Sequence, residues 1–505
     1  MPNSTDLPPR ADSSSAPSAL PGWLAIALVA GSSAAVLVLE ILAGRLLAPY
    51  VGVSLETYTG IIGTILAGIA AGAWAGGVLA DRVDPRRLLP PLLMIGGALA
   101  IATIPTVRII GGSLGDGGGG LAILVLAALG FLPSATVLSA VPPTVIKLQL
   151  RDLASTGSTV GRLSAWSTGG AIFGTFFTGF VLVAAAAVST LIVSVGLGLI
   201  ASGFALWAFG GRRGFVVESS HAFSVVGIAG AGLFGTAVIG SPCDTQTSYY
   251  CLSVQGDDAR PSGRVLVLDD LRHSYVDLDD PTHLEFWYIR RLADAIGLAP
   301  RDDVVFLGGG ALTLPRYVRA TSPATQQIVF EIDEGLIEVV ESEFGFEPSS
   351  AIDVQIGDAR LGLVGVATDS ADVVIGDAFG SRSVPFHLAT EEFIRDVRRV
   401  LRPAGMYAVN VIDAPGQHFL AAQAATLDRV FEHVVVVRGP QAAAGLPGNS
   451  VVIASDGPID AAEIERLRVE AGDGGETVVD LGEFIDGAPI ITDDFAPVDQ
   501  LIAIG

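Results

Sequence analysis

The stretch "DVVFLGGG" at residues 303–310 decides the fold of the second half of this 505-residue chain. Four apolar residues run directly into three glycines, the pattern of a strand buried on both faces that ends in a tight turn. Outward from it, "QIVFEID" (327–333), "IDVQIGDA" (352–359) and "ADVVIGDAF" (371–379) repeat the theme. A helical stretch, "TEEFIRDVRRVLRPAG" (390–405), and another strand, "MYAVNVI" (406–412), follow. Short apolar strands alternating with helical segments predict a doubly wound parallel sheet, with its ligand site beyond the carboxyl ends of the strands.

Chemistry-bearing residues fall at those ends. Gly308, Gly309 and Gly310 let the backbone turn tightly against a ligand. Glu331 lies 21 residues after Gly310, at the end of the next strand, where a carboxylate can accept both hydroxyls of a ribose. Asp358 ends the third strand, placed to face an adenine amine, and Asp377 ends the fourth. A glycine turn alone is weak evidence, but the ordered set of glycines and strand-end acids points to a nucleoside or AdoMet-like pocket.

The first half is of another kind. Half of all residues are hydrophobic and the mean hydropathy is +0.57, with the apolarity concentrated in residues 22–240. Charge divides the same way: 11 Lys or Arg stand against 9 Asp or Glu up to residue 240, and 18 against 43 after it. The acidic half is a poor partner for nucleic acid. A membrane-crossing helix needs about 20 mostly apolar residues, and seven candidates lie near 22–44, 58–80, 88–110, 120–146, 163–185, 188–209 and 222–240, in contact with membrane lipid. Gly68, Gly72 and Gly76, and again Gly170 and Gly174, recur at four-residue spacing, which lets helix backbones approach closely. Pro142 and Pro143 are expected to kink or end the fourth span, and Glu40 and Arg45 are placed near the end of the first.

Positive charges accumulate in cytoplasmic loops. Arg82, Arg86 and Arg87, then Lys147, Arg151 and Arg162, then Arg212 and Arg213 share one side, whereas Arg45, Arg108 and the glycine loop "GDGGGG" face the other. The amino terminus is therefore expected in the cytoplasm of a plasma-membrane protein, and the residues after 240 outside it. Both cysteines of the chain, Cys243 and Cys251, follow the last span. Disulfides persist outside the cytosol, so the two are expected to be bonded. Residues 1–21, rich in Ser, Pro and Ala, are expected to form a disordered tail ahead of a retained first span.

With these residues in place, the chain resembles the spermidine synthases, which transfer an aminopropyl group from decarboxylated AdoMet to putrescine. The resemblance is carried over about residues 245–412 by "GRVLVLDDLRHSYVDLDDPTHLEF" (263–286), "VVFLGGG", "FEID", "GDAR" and "DVVIGDAF". The closing "ITDDFAPVDQL" (491–501) and the preceding spans are similar to members fused to a half-transporter-like membrane domain. The resemblance implies a Rossmann-like spermidine-synthase fold preceded by a small β-rich subdomain. The expected domains are thus the tail, a helical membrane domain over 22–240, a β-rich subdomain and linker helix over 241–300, and the nucleoside-binding α/β domain over 301–505. It also implies a donor of the AdoMet-derived nucleoside class held by Gly308 to Gly310, Glu331, Asp358 and Ala359. A polyamine acceptor would lie near Glu285, His273 and Asp377.

Two positions depart from the family. Its glycine loop continues with an aspartate that grips the aminopropyl end, where this chain has Ala311. Its presumed general base, an aspartate three residues beyond Asp377 and followed by proline, is replaced by Gly380 and Ser381. Asp377, His387 and His273 are the candidate bases that remain. The six histidines show no paired ligand spacing, so no metal centre is expected. Three readings follow: a membrane-anchored transferase, a polyamine or nucleoside sensor that has lost turnover, and a transport-associated protein. The oligomeric state stays open.

Overall fold

Two apolar faces on every central strand demand cover on both sides, and the chain supplies it with helices. The computed structural model describes residues 20–114, 120–150, 155–210, 214–380 and 383–503. Most of the expected tail, most of the glycine loop, and Arg151, Arg212, Arg213 and Ser381 lie outside the described residues. The chain divides into two units, one of residues up to Leu47 with Thr59–Gly240, the other of Ala48–Tyr58 with Ser241–Gly505.

The first unit is helical. Among the described residues, six helices are long and apolar enough to cross a membrane: Gly22–Val51, Leu55–Arg82, Pro85–Ser113, Thr156–Ala185, Val188–Gly210 and Ser219–Val238. A seventh crossing arises if the bent pair Gly120–Gly130 and Leu132–Gln149 is one span. That pair turns by 45° at Phe131, with Pro133 in the first turn of the following helix. The sharp bend thus falls before Pro142 and Pro143, although a lesser break at Ala140 precedes that proline pair. The first helix holds Glu40 within its expected span and runs past the expected end at residue 44 through Arg45 and Pro49. Small residues set the packing: a side chain at Gly72 would strike the Thr136 carbonyl, one at Gly76 would strike Ala140, and ones at Gly170 and Gly174 would strike Ala30 and Ala34. Lys147 pairs with Asp81 at 2.6 Å, and the Arg86 side chain lies beside Gly214, so three of the charged span ends gather at one end of the bundle. Arg108 instead donates to the carbonyls of Thr236 and Ile239, which a helix carboxyl terminus leaves without intrahelical partners.

From Ser241 onward the second unit opens with a four-stranded antiparallel meander: β1 (Thr245–Gln246), β2 (Cys251–Gly256), β3 (Gly263–Leu268) and β4 (Leu271–Asp277). A disulfide joins Cys243 to Cys251 across its first hairpin. After the helix Trp287–Leu298 come β5 (Asp303–Leu307), β6 (Gln326–Glu331), β7 (Ile352–Ile356), β8 (Ala371–Gly376), β9 (Leu401–Asp413), β10 (His433–Arg438), β11 (Gly448–Ser455) and β12 (Glu476–Val478). These eight form one sheet in the order β12-β10-β11-β9-β8-β5-β6-β7.

The sheet is mixed: the expected doubly wound parallel strands form one part of it, and three antiparallel strands extend it. The strands β9, β8, β5, β6 and β7 run parallel, but β10, β11 and β12 extend the sheet antiparallel to their neighbours. The nine residues between β10 and β11 are too few for the crossover of a dozen or more that a parallel return requires. Alternation sorts the core: Val305, Leu307 and Val374 face the helices Glu391–Val400 and His418–Asp428, while Val304, Phe306, Val373 and Ile375 face Trp287–Leu298 and Glu334–Glu343. The helix Glu391–Val400 is capped by Thr390, carries acids in its first turn and arginines in its last, and stops before Pro403, where β9 has already begun. Strand order reverses between β5 and β8, which opens a crevice at their carboxyl ends.

Alkylation of the denatured, unreduced protein should modify no thiol, and alkylation after reduction should modify both. A free thiol before reduction would show that Cys243 and Cys251 are not bonded in solution.

Candidate functional site

The crevice holds a cavity of about 270 Å³, near the lower end of the roughly 300–1,000 Å³ of small-molecule sites. Its floor is the glycine turn after β5. Gly308 has φ of 101° and Gly310 of 49°, conformations that side chains resist. A Cβ at Gly308 would also strike the Asp377 carbonyl, and one at Gly310 would sit 2.6 Å from Ser274 Oγ. The turn then enters the helix Thr313–Thr321 through Leu312, itself left-handed at φ of 57°.

Glu331 clasps this turn. Its Oε2 accepts from the backbone N–H of Gly309 at 2.8 Å and of Gly310 at 3.2 Å, and its Oε1 from that of Asp333 at 3.1 Å. Burial pushes its carboxyl up, and the three amides oppose that rise. Each oxygen has two lone pairs, so Oε1 retains capacity for another donor. Asp358, at the end of β7, caps the helix Ala359–Val364 through the Leu361 N–H at 3.0 Å and holds His387 Nε2 at 2.8 Å. Burial alone would raise its carboxyl, but the Leu361 amide and His387 outweigh it and hold it below the usual range.

Asp377, at the end of β8, is different. Burial pushes its carboxyl up to about 7, and the one opposing influence is the Asn410 side-chain amide, which donates to Oδ1 at 2.9 Å. A carboxyl poised near neutrality suits proton transfer at ordinary pH. The other candidate bases are less suited. Burial holds His273 down at about 4, so its ring is neutral and weakly basic. His387 is engaged by Asp358.

The cavity lining therefore brings together Gly308, Gly310, Glu331, Asp358, Ala359, Asp377, His273 and His387. Gly309 lies behind it, turned to Glu331. Glu285 is not part of the lining: it is exposed and paired with His283 at 3.1 Å, which moves the carboxylate expected near the acceptor out of the cavity. Ala311 is buried in the core, and Gly380 lines the cavity without a side chain to offer.

Sequence reasoning missed several wall residues. Tyr249 and Tyr250, in the loop closed by the disulfide, line one side, and Tyr250 donates to the Phe379 carbonyl at 2.9 Å. The neighbouring Thr247 hydroxyl bonds to Asp333, so the hairpin is tied beside Glu331. Asn410 was also missed. The available signals were two adjacent tyrosines between the cysteines and a single amide side chain inside the apolar run "MYAVNVI".

No family model matches the chain. It is 24% identical to the polyamine aminopropyltransferase of Vibrio vulnificus over 233 residues, 43% of this chain and 75% of that protein. It is 26% identical to the polyamine aminopropyltransferase of Chromobacterium violaceum over 220 residues, 42% of this chain and 80% of that protein. A crystal structure of a probable spermidine synthase from Corynebacterium glutamicum aligns with 49% of this chain and 95% of its own, at 26% identity and a TM-score of 0.47. Over somewhat more than two fifths of its length the chain is thus similar to polyamine aminopropyltransferases, which are transferases.

Replacing Glu331 by Gln leaves one accepting oxygen where the carboxylate has two, so that an NH2 group faces either the Gly309 and Gly310 amides or that of Asp333. Calorimetric titration of the full chain with methylthioadenosine should show affinity weakened by about 1–3 kcal/mol. Unchanged affinity would remove Glu331 from nucleoside binding.

Proposed function

We propose that this protein is a membrane-anchored transferase that moves the aminopropyl group of an AdoMet-derived nucleoside onto the amine of a small polyamine. The observation that carries the reading is the single cavity into which the strand-end residues Gly308, Gly310, Glu331, Asp358 and Asp377 converge. The similarity to polyamine aminopropyltransferases supports the same class of reaction.

In this reading Glu331 holds the ribose, Asp358 and Ala359 border the adenine, and the glycine turn accepts the sulfonium end of the donor. The acceptor arrives as an ammonium ion and pairs with Asp377. Asp377 takes one proton, the freed nitrogen lone pair attacks the methylene beside the sulfonium, the new C–N bond forms as the C–S bond breaks, and the sulfur leaves as a neutral thioether. The aromatic and apolar walls, Tyr249, Leu268, Phe330 and Phe379 among them, keep water from the reacting atoms. Asp377 takes the place of the missing family base because it is the lining carboxyl poised near neutrality.

The membrane unit anchors this domain, with the amino terminus cytoplasmic and residues after 240 outside, as the charge pattern and the disulfide favour. A second reading, a nucleoside- or polyamine-binding sensor without turnover, is favoured by Ala311 buried in the core and by the bare backbone of Gly380 at the cavity.

Release of methylthioadenosine from decarboxylated AdoMet, measured with putrescine or spermidine, separates the two. Because Asp377 must be ionised to accept a proton, turnover should be low below pH 7, rise through about 7 and level off above it. Asp377→Asn should keep nucleoside affinity and lower kcat by roughly 10²–10⁴-fold. Binding without amine-dependent release in the unaltered protein would favour the sensor. An epitope placed after the last residue should be reached by antibody on intact cells; protection until the membrane is opened would reverse the orientation.

A further inference from the structure

Asp377 does not stand alone. Behind it, on the antiparallel part of the sheet, two side-chain amides continue from its carboxylate. Asn410 on β9 is 1% exposed and donates from Nδ2 to Asp377 Oδ1 at 2.9 Å. Asn449 on β11 donates from Nδ2 to Asn410 Oδ1 at 3.0 Å. In the ladder Asn410 lies opposite Val451, so Asn449, two residues before Val451, is its diagonal neighbour on the same face. Asn449 is outside the cavity lining.

The chain has a direction. An ionised carboxylate only accepts hydrogen bonds, whereas an amide has one donating and one accepting end. Asn410 can give Nδ2 to ionised Asp377 only while its oxygen points the other way, and that oxygen is buried and in need of a donor. Asn449 supplies it. Turned over, Asn410 would set its oxygen against a carboxylate oxygen, an arrangement tolerable only when Asp377 carries a proton.

We propose that Asn449 is a positioning residue: by fixing the direction of the Asn410 amide it holds Asp377 ready to ionise, and so sets the pH at which the site works. This rests on the reading of Asp377 as the proton acceptor. Other groups around Asp377 set a background that the amide chain adjusts. Tyr288, from the helix Trp287–Leu298, interacts electrostatically with it. His273 from β4 is neutral, the Asp358–His387 pair and Glu331 border the same cavity, and the Tyr407 hydroxyl of β9 lies beside Gly376. Among the described residues, Asn410 is the side chain that donates a hydrogen bond to Asp377.

Three variants of the full chain test this: Asn449→Asp, which can only accept; Asn449→Leu, which does neither; and Asn449→Gln, which keeps a donor. Two measurements are taken on each. One is the acidic limb of kcat/KM against pH. The other is the pH midpoint of the protonated-carboxyl infrared band, identified as that of Asp377 by its loss in Asp377→Asn. Asn449→Asp should move both midpoints from about 7 to about 8 or higher, so that turnover at pH 7 falls roughly five-fold or more while turnover well above the midpoint is kept. Asn449→Leu should move them in the same direction by less, and Asn449→Gln should restore values near the unaltered protein. Midpoints that coincide across all variants, or a uniform loss of turnover at every pH with unmoved midpoints, overturn the proposal. If Asp377→Asn retains full turnover, the assignment of the base fails instead, and the infrared midpoints still report whether Asn449 governs Asp377.

Discussion

The site depends on one carboxylate binding one turn. Glu331 reaches from the end of β6 to the N–H groups of Gly309 and Gly310 and back to that of Asp333. Without an acceptor those amides would be buried and unpaired, each a cost of about 1–3 kcal/mol. The same bonds hold the turn in backbone conformations that only glycine adopts readily. The cavity floor and the entry to the helix Thr313–Thr321 are therefore consequences of a single interaction.

Around that turn, three acids in similar strand-end positions have been given different characters by their partners. Glu331 is spent on backbone amides. Asp358 is held ionised by a helix cap and a histidine. Asp377 receives one neutral amide in a site largely withdrawn from water, and its proton affinity rises toward neutrality. One type of side chain is thus held in three different protonation environments within one cavity.

The disulfide hairpin adds a wall that does not belong to the sheet. Tyr250 bonds to the Phe379 carbonyl after β8 and Thr247 to Asp333 after β6, so the loop closed by Cys243 and Cys251 bridges two strand ends that flank the cavity. In the helical first unit the equivalent economy is steric. Gly72, Gly76, Gly170 and Gly174 face backbone directly, and contact at that distance is available only where no side chain intervenes.

Much of this was legible in the residues themselves. Apolar runs ending in glycine or acid located β5 to β8, because strands covered on both faces must be continuously apolar and their polar ends must reach a crevice. Long apolar segments marked the helices of the first unit, because an apolar run of about 20 residues is long enough as a helix to cross a bilayer. What the linear order did not disclose was pairing across distance. It did not show that β10 to β12 run antiparallel to their neighbours, that the bend near residue 131 precedes the proline pair, or that Glu285 pairs with His283 outside the cavity lining. Nor did it show that Asp358 belongs to His387, or that Asn410 and Asn449 line up behind Asp377. Composition and periodicity report each residue's own preference for water or apolar surroundings. Hydrogen-bond partners and proton affinities depend on which strands lie side by side, and that was decided only when the chain closed on itself.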